Sequence, residues 1–364
     1  MDMKEFEEKL EKLREWIKTR GYEGIILGKY HNFAWLTGGK TNFVPLNTEQ
    51  GTGYFFITDR EAVYFTTNIE APRMKEEEFL EIPVEIEEVN WWEDIKERIM
   101  KRAGNRRIAG DGVIPDLENL DSDLYTLRSA LTPEEVERYY ILGRECAESL
   151  EKVLRGVEEG ISEREVAGRI NEVFLSRGIY PIVNLVACDE RIKKFRHPIP
   201  TDKKLRKYLM AVVCGRRGGL IVALTRLVSL GELDEEMKKK HSAVVYVDTV
   251  LIASTLPGEE MGKILDKGIK AYKEKGYGEE WRKHHQGGPI GYLTREFKVT
   301  PGETRKVNFR QPFAWNPSIE GTKSEDTIIS YPESPLIITY TPSWPKIKVE
   351  YAGRVWERPD ILCL

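Results

Sequence analysis

At 364 residues the chain is too long for one ordinary core, so two domains are expected. Apolar residues make up 40% and charged residues 32%, spread along the whole length, which excludes a disordered protein. A net charge of −4 without a long basic block excludes a nucleic-acid arm, and four cysteines without knuckle spacing (Cys146, Cys188, Cys214, Cys363) exclude a disulfide scaffold. The charged N-terminus is no signal peptide and no apolar stretch is long enough to span a bilayer, so a cytoplasmic chain with no nucleic-acid and no membrane partner is expected.

Phe6, Leu10, Leu13, Trp16 and Ile17 share one face of a helix over residues 4–20, stopped at Gly21. Short apolar strands are expected at Gly24–Leu27 and Phe33–Thr37. Gly53–Thr58 and Ala62–Thr67 read as a hairpin turned by Asp59, Arg60 and Glu61. Helices are expected at Glu70–Phe79 and Trp91–Arg102, and a buried strand at Arg107–Ala109, closed by Gly110, Asp111 and Gly112. This alternation predicts an α/β domain over residues 1–126. Residues 113–131 are polar and turn-rich and read as the linker.

The second domain, residues 127–364, opens with a strong helix start. Thr132 is placed to cap, Pro133 sits in the first turn, and Glu135 completes a capping box before a long amphipathic run to about Val157. Ser162 with Glu165 repeats the device before a helix ending near Arg177 and Gly178. Strands are expected at Ile182–Ala187, Leu209–Cys214 and Leu220–Val228, helices around Asp234–Ser254 and Glu259–Lys275, and a β-rich tail over Val299–Glu350.

Six segments in this order resemble those of the creatinase, prolidase and aminopeptidase P superfamily. Asn32–Gly39 (NFAWLTGG) resembles the strand after the first strand of their N-terminal domain. Leu127–Val136 (LRSALTPEEV) resembles their domain junction. Phe195–Asp202 (FRHPIPTD) resembles the segment of their active-site histidine, which falls on His197. Thr225-Arg226 resembles the end of a metal-bearing strand, His284–Gly291 (HHQGGPIG) the glycine-rich histidine loop, and Gly321–Thr327 (GTKSEDT) the final ligand strand. The resemblance implies an α/β creatinase-like N-terminal domain and an α+β pita-bread C-terminal domain, assembled as a homodimer.

The metal-dependent members of that group use two Asp, one His and two Glu to hold two ions that activate a bridging water. In this chain the first Asp falls on Val212 or Cys214, the second on Ala223, the His on Gly288, and the fourth ligand at or near Asn308 to Gln311. Only Glu325 remains. One carboxylate leaves the charge of two divalent ions almost uncompensated, so no catalytic metal and no other cofactor is expected.

His197, Glu325 and His284 are the candidate catalytic residues. Imidazole suits proton transfer near neutral pH, although a loop histidine beside two prolines also suits plain solvent exposure. A buried Glu325 would have a raised pKa and could shuttle protons, or could equally form an ion pair with an arginine. Being adjacent, His284 and His285 should point to opposite sides of an extended segment and not share one metal. Arg196, Arg226, Arg295, His285, Gln286, Trp315 and Cys214 are candidates to contact substrate. The arginines could replace metal charge and clamp a carboxylate, or could neutralise Glu320, Glu325 and Asp326. Cys214 could be a nucleophile or an inert strand residue.

Three functions fit these residues. The first is a metal-independent hydrolase of a small C–N compound bearing a carboxylate. The second is an Xaa-Pro peptidase acting on a short peptide. The third is a non-catalytic ligand-binding descendant of the fold.

Overall fold

The computed structural model describes residues 3–364 and divides into two compact units. The first runs to Arg128 and includes Gly218–Leu220. The second comprises Ser129–Arg217 and Ile221–Leu364.

The first unit contains α1 (Met3–Thr19), β1 (Gly24–Lys29), α2 (Tyr30–Leu36), β2 (Gln50–Thr58), β3 (Ala62–Thr67), α3 (Ala71–Arg73, widening into a π turn at Met74–Glu78), β4 (Glu85–Val89), α4 (Ile95–Ala103), β5 (Ile108–Gly110) and α5 (Asp121–Arg128). Its mixed sheet has the order β4-β3-β2-β1-β5. Strand alternation sends Tyr54, Phe56, Val63 and Phe65 to one core, with Ile26, Val89 and Ile99. Phe55 and Tyr64, paired in register, face the other way and meet Phe33 and Phe79 at ring separations of 5.1–5.9 Å.

Two expectations fail here and one strand goes unpredicted, each for a physical reason. Residues 33–36 are helical, not a strand. A short aromatic run has no decisive period, and here it closes as a turn of helix with Phe33 packed on the sheet. Glu85–Val89 escapes an apolar search because it is a charged edge strand, with Glu85 and Glu87 both reaching Arg102. The stretch read as linker contains α5, whose first residue, Asp121, accepts hydrogen bonds from Lys29 and Asn32 and pairs with His31.

The second unit contains α6 (Pro133–Leu154), α7 (Glu163–Leu175), β6 (Tyr180–Cys188), α8 (Glu190–Lys194), β7 (Tyr208–Arg217), β8 (Leu220–Ser229), α9 (Glu235–Ser254) and α10 (Met261–Glu274). Then follow β9 (Gly287–Pro289), β10 (Pro312–Trp315), β11 (Ser318–Ile319), β12 (Thr322–Lys323), β13 (Asp326–Ile329), β14 (Leu336–Ile337), β15 (Lys346–Tyr351), β16 (Arg354–Pro359) and β17 (Leu362–Cys363). Both capping boxes form as the sequence predicts. Thr132 Oγ1 accepts from Glu135 N at 3.1 Å, and Ser162 Oγ accepts from Glu165 N at 3.1 Å. Two four-stranded sheets, β17-β8-β7-β6 and β14-β13-β10-β9, carry the site. They are joined where Thr225 N donates to Glu325 O at 3.0 Å and Ala223 N donates to Thr327 Oγ1 at 2.8 Å.

Candidate active site

Side-chain alternation divides neighbouring residues between two destinations. On β8, Thr225 and Arg226 are successive, as are Glu325 and Asp326 at the start of β13. Thr225 Oγ1 donates to Glu325 Oε2 at 2.8 Å, while Arg226 Nη1 donates to Asp326 Oδ1 at 3.0 Å. The two pairs therefore belong to different clusters.

Arg226 belongs to a fully buried ion network. Its partners are Glu151 at 3.2 Å, Asp326 and the Thr339 carbonyl. Arg358 joins Asp326 to Asp248 at 2.9 and 2.6 Å. Arg226, expected at the substrate, is thus a structural residue: its guanidinium is committed to buried acids.

Glu325 is surrounded by cations. Lys323 Nζ donates to its Oε2 at 2.6 Å and Arg295 Nη2 to its Oε1 at 3.1 Å. Burial alone would raise the carboxyl pKa, but Lys323 and Arg295 outweigh it and hold the group below its ordinary value. The raised pKa expected for Glu325 is corrected accordingly: it is an ionised anchor. Lys323 was missed from sequence, although its place two residues before Glu325 puts both on one side of an extended segment.

His197 lies in a loop held by α7. Glu163, buried at the start of that helix, accepts from Cys188 N at 2.8 Å, Thr201 N at 2.9 Å and Thr201 Oγ1 at 2.7 Å, and pairs with Arg191. One carboxylate thus fixes both ends of the segment that presents His197 to solvent. Arg196 is not free for substrate, since Glu280 holds it at 2.7 Å. Glu280 also takes Lys283 at 2.6 Å and the Glu320 N–H at 3.1 Å, which pins the 3₁₀ turn Glu280–Lys283 leading into His284.

The expected divergence of His284 and His285 does not occur. They sit between that turn and β9, outside any ladder, and their ring centroids are 4.6 Å apart. His284 Nε2 lies 3.2 Å from His197 Nε2, and one nitrogen from each of the three rings falls within 4.8 Å of the others. Burial, then Lys323, lowers the pKa of His284 to about 2. Burial, then Arg295, lowers that of His285 to about 4. His197 shifts down for the same reasons, with Glu325 opposing.

The remaining candidates are absorbed by packing. Gln286 accepts from Tyr272 Oη at 2.9 Å and donates to the carbonyls of His284 and Trp281 at 2.7 and 3.2 Å. Trp315 is fully buried in the core and donates to Thr255 Oγ1 at 2.9 Å. Cys214 is buried among Ile221, Ala223, Ile290 and Ala314, and burial, then Glu325, pushes its thiol up to about 12. A thiolate nucleophile has no support there.

The residues present do not fit the paired-metal centre that the resemblance implies. Val212 or Cys214, and Ala223, on which the resemblance places the two Asp ligands, are buried in apolar clusters, and Gly288 offers no ligand atom. Both oxygens of Glu325 are already taken by Lys323 and Arg295. A cavity of ≈ 10 Å³ lined by Phe195, Arg196, His284 and Lys323 adjoins the site, room for about one water. The larger concavity of ≈ 690 Å³ beside α1 is an open groove without such convergent groups.

The family model for metallopeptidase family M24 matches residues 138–330, more than half of the chain, and that for the creatinase/prolidase N-terminal domain matches residues 9–122. The chain belongs to the M24 family. An uncharacterized peptidase of Staphylococcus aureus strain MW2 is 24% identical to this M24 chain over 239 residues, 61% of the chain and 66% of that relative, just under two thirds of its length. The prolidase from Pyrococcus horikoshii superposes with a TM-score of 0.79 at 19% identity, over 92% of this chain and 98% of that one. The Xaa-Pro dipeptidase from Bacillus anthracis gives 0.76 at 17% identity, over 99% and 100%. The N-terminal domain of FACT complex subunit SPT16 from chickpea gives 0.71 at 12% identity, over 93% and 97%, and is described as a complex subunit rather than a peptidase. At these identities the structural likeness is one of fold.

Proposed function

We propose that this M24 protein is a hydrolase working without the family's metal pair on a small C–N compound that carries a carboxylate. The observation that supports this best is the cation surplus around the single acid. Lys323 and Arg295 share Glu325, and Lys298 adds to the field felt by His197 and His285. Arg295 Nε is buried and has no hydrogen-bond partner among the described residues, a donor placed for an incoming anion. In this reading Arg295 and Lys323 draw in the substrate carboxylate, and Glu325 keeps both cations in place. His197, exposed and 3.2 Å from His284, moves the proton at the scissile bond. We place the protein in the cytoplasm as a homodimer, in keeping with the absence, among the described residues, of any helix long and apolar enough to cross a membrane and with the prolidase-like fold.

The apolar cluster around Cys214 and Ala223, where the resemblance would place acidic ligands, favours a second reading, a descendant that binds a ligand without cleaving it. Screening chelator-treated protein against amidines, ureas and short Xaa-Pro peptides separates the readings. Turnover lost by about 10²-fold or more in His197→Gln supports the hydrolase. Saturable binding of a carboxylate compound without turnover supports the second reading, and turnover of Xaa-Pro peptides only after adding Mn²⁺ overturns both.

A further inference from the structure

We propose that His197, His284 and His285 form a site for a single transition-metal ion of the zinc class, separate from the family's paired carboxylate centre. Three features carry this. The first is geometry. Three ring nitrogens lie within 4.8 Å of one another, and the 3.2 Å between His197 and His284 is close to the roughly 3.3 Å edge of a tetrahedron with metal–nitrogen bonds of about 2.0–2.1 Å. The second is an unsatisfied atom. His285 Nδ1 is buried without a hydrogen-bond partner among the described residues, which is costly unless something binds the ring. The third is orientation. His284 Nδ1 lies 3.4 Å from Ser318 Oγ, so a hydroxyl steadies that ring through the nitrogen that faces away from His197.

The donor chemistry selects the ion. Imidazole nitrogens suit zinc, copper and nickel, whereas magnesium, calcium and manganese require oxygen ligands that this cluster does not supply. Three protein ligands leave one position open, the arrangement of an exchangeable rather than a closed structural site. The surrounding charge acts against a cation. Lys323 and Arg295 face the cluster but are shared by Glu325, Arg196 is held by Glu280, and Lys298 stands on the exposed side. These charges weaken the binding and favour an anion as fourth ligand. The proposal departs from the metal-free expectation drawn from the sequence, which counted carboxylates and set the adjacent histidines apart.

If His197 carries the proton as proposed above, an ion on it is an inhibitor. That clause rests on the proposed function, while the site itself does not. The test is therefore made on binding. The full chain, stripped with chelator, is titrated calorimetrically with Zn²⁺, and separately with Co²⁺ while its visible absorption is recorded. One equivalent is expected, with Co²⁺ bands of four-coordinate intensity. His197→Gln, at an exposed position that preserves folding, and His285→Gln are each expected to weaken binding at least about tenfold, and Glu325→Gln to leave it in place. Absence of saturable binding, binding indifferent to both histidine changes, or binding lost only in Glu325→Gln overturns the site. Inhibition of any turnover is read independently, so failure of the activity does not obscure the result.

Discussion

Glu325 and Asp326 are chain neighbours with opposite surroundings. Asp326 joins Glu151 and Asp248 against Arg226 and Arg358, so that cluster has a surplus of acid and is closed to solvent. Glu325 stands alone against Lys323 and Arg295, so its cluster has a surplus of cation and adjoins an exposed histidine. A buried network in which every acid meets an arginine ties secondary structure together, here α6, β8, α9, β13 and β16. A network short of an acid has an unmet demand for an anion. The difference sets the first cluster apart as scaffold and supports the second as the proposed site.

The largest effect should come from breaking the scaffold. Arg226→Ala leaves Glu151 and Asp326 short of a buried counter-charge and is expected to cost about 3–5 kcal/mol, read from urea unfolding. A small loss would show that the two clusters do not differ as described. Next in size is ligand stabilisation at the other cluster. Glycine or acetate at about 100 times its Kd should add about 2.7 kcal/mol to wild-type stability and nothing to Arg295→Ala. Equal stabilisation of both proteins would remove the case for an anion site.

The two clusters should also respond to pH with opposite sign. Burial raises Asp248 from 3.8 to about 6 despite Arg358, so its contribution is fully present below about pH 4 and is lost as pH rises through 6. Glu325 is held below its ordinary 4.5, so its contribution is present above that value and is lost as pH falls. Asp248→Asn should flatten the decline between pH 4 and 6, and Glu325→Gln should flatten the acid limb. The smallest change, Thr132→Ala, removes one cap from α6 and should cost about 1 kcal/mol, a yardstick against which both clusters are measured.

That cap also shows what the sequence makes legible. Thr132, Pro133 and Glu135 act within one turn, so local spacing is enough to find them. The segment order that identified the M24 fold is likewise a linear pattern. By contrast, Phe33–Thr37 reads as a strand although most of it lies in α2, because its aromatic run takes its conformation from Phe55, Tyr64 and Phe79, which lie well beyond it in sequence. The convergence of His197 with His284 and His285 depends on Glu163 and Glu280 tying distant segments, which no local period reveals. Arg226 and Arg295 look alike in sequence, and only the β8 alternation and the identity of the facing acids separate anchor from candidate ligand.

Under the proposed function, side-chain cations stand in this M24 chain where the family's metal pair would be. The most direct test of this central claim is manganese stoichiometry by mass spectrometry of the elements, after equilibration with Mn²⁺ and removal of the excess. The proposal predicts less than one manganese per chain, because Glu325, the one carboxylate it assigns to the family's ligand set, is held by Lys323 and Arg295. Two tightly held manganese ions per chain, both lost in Glu325→Gln, would contradict it.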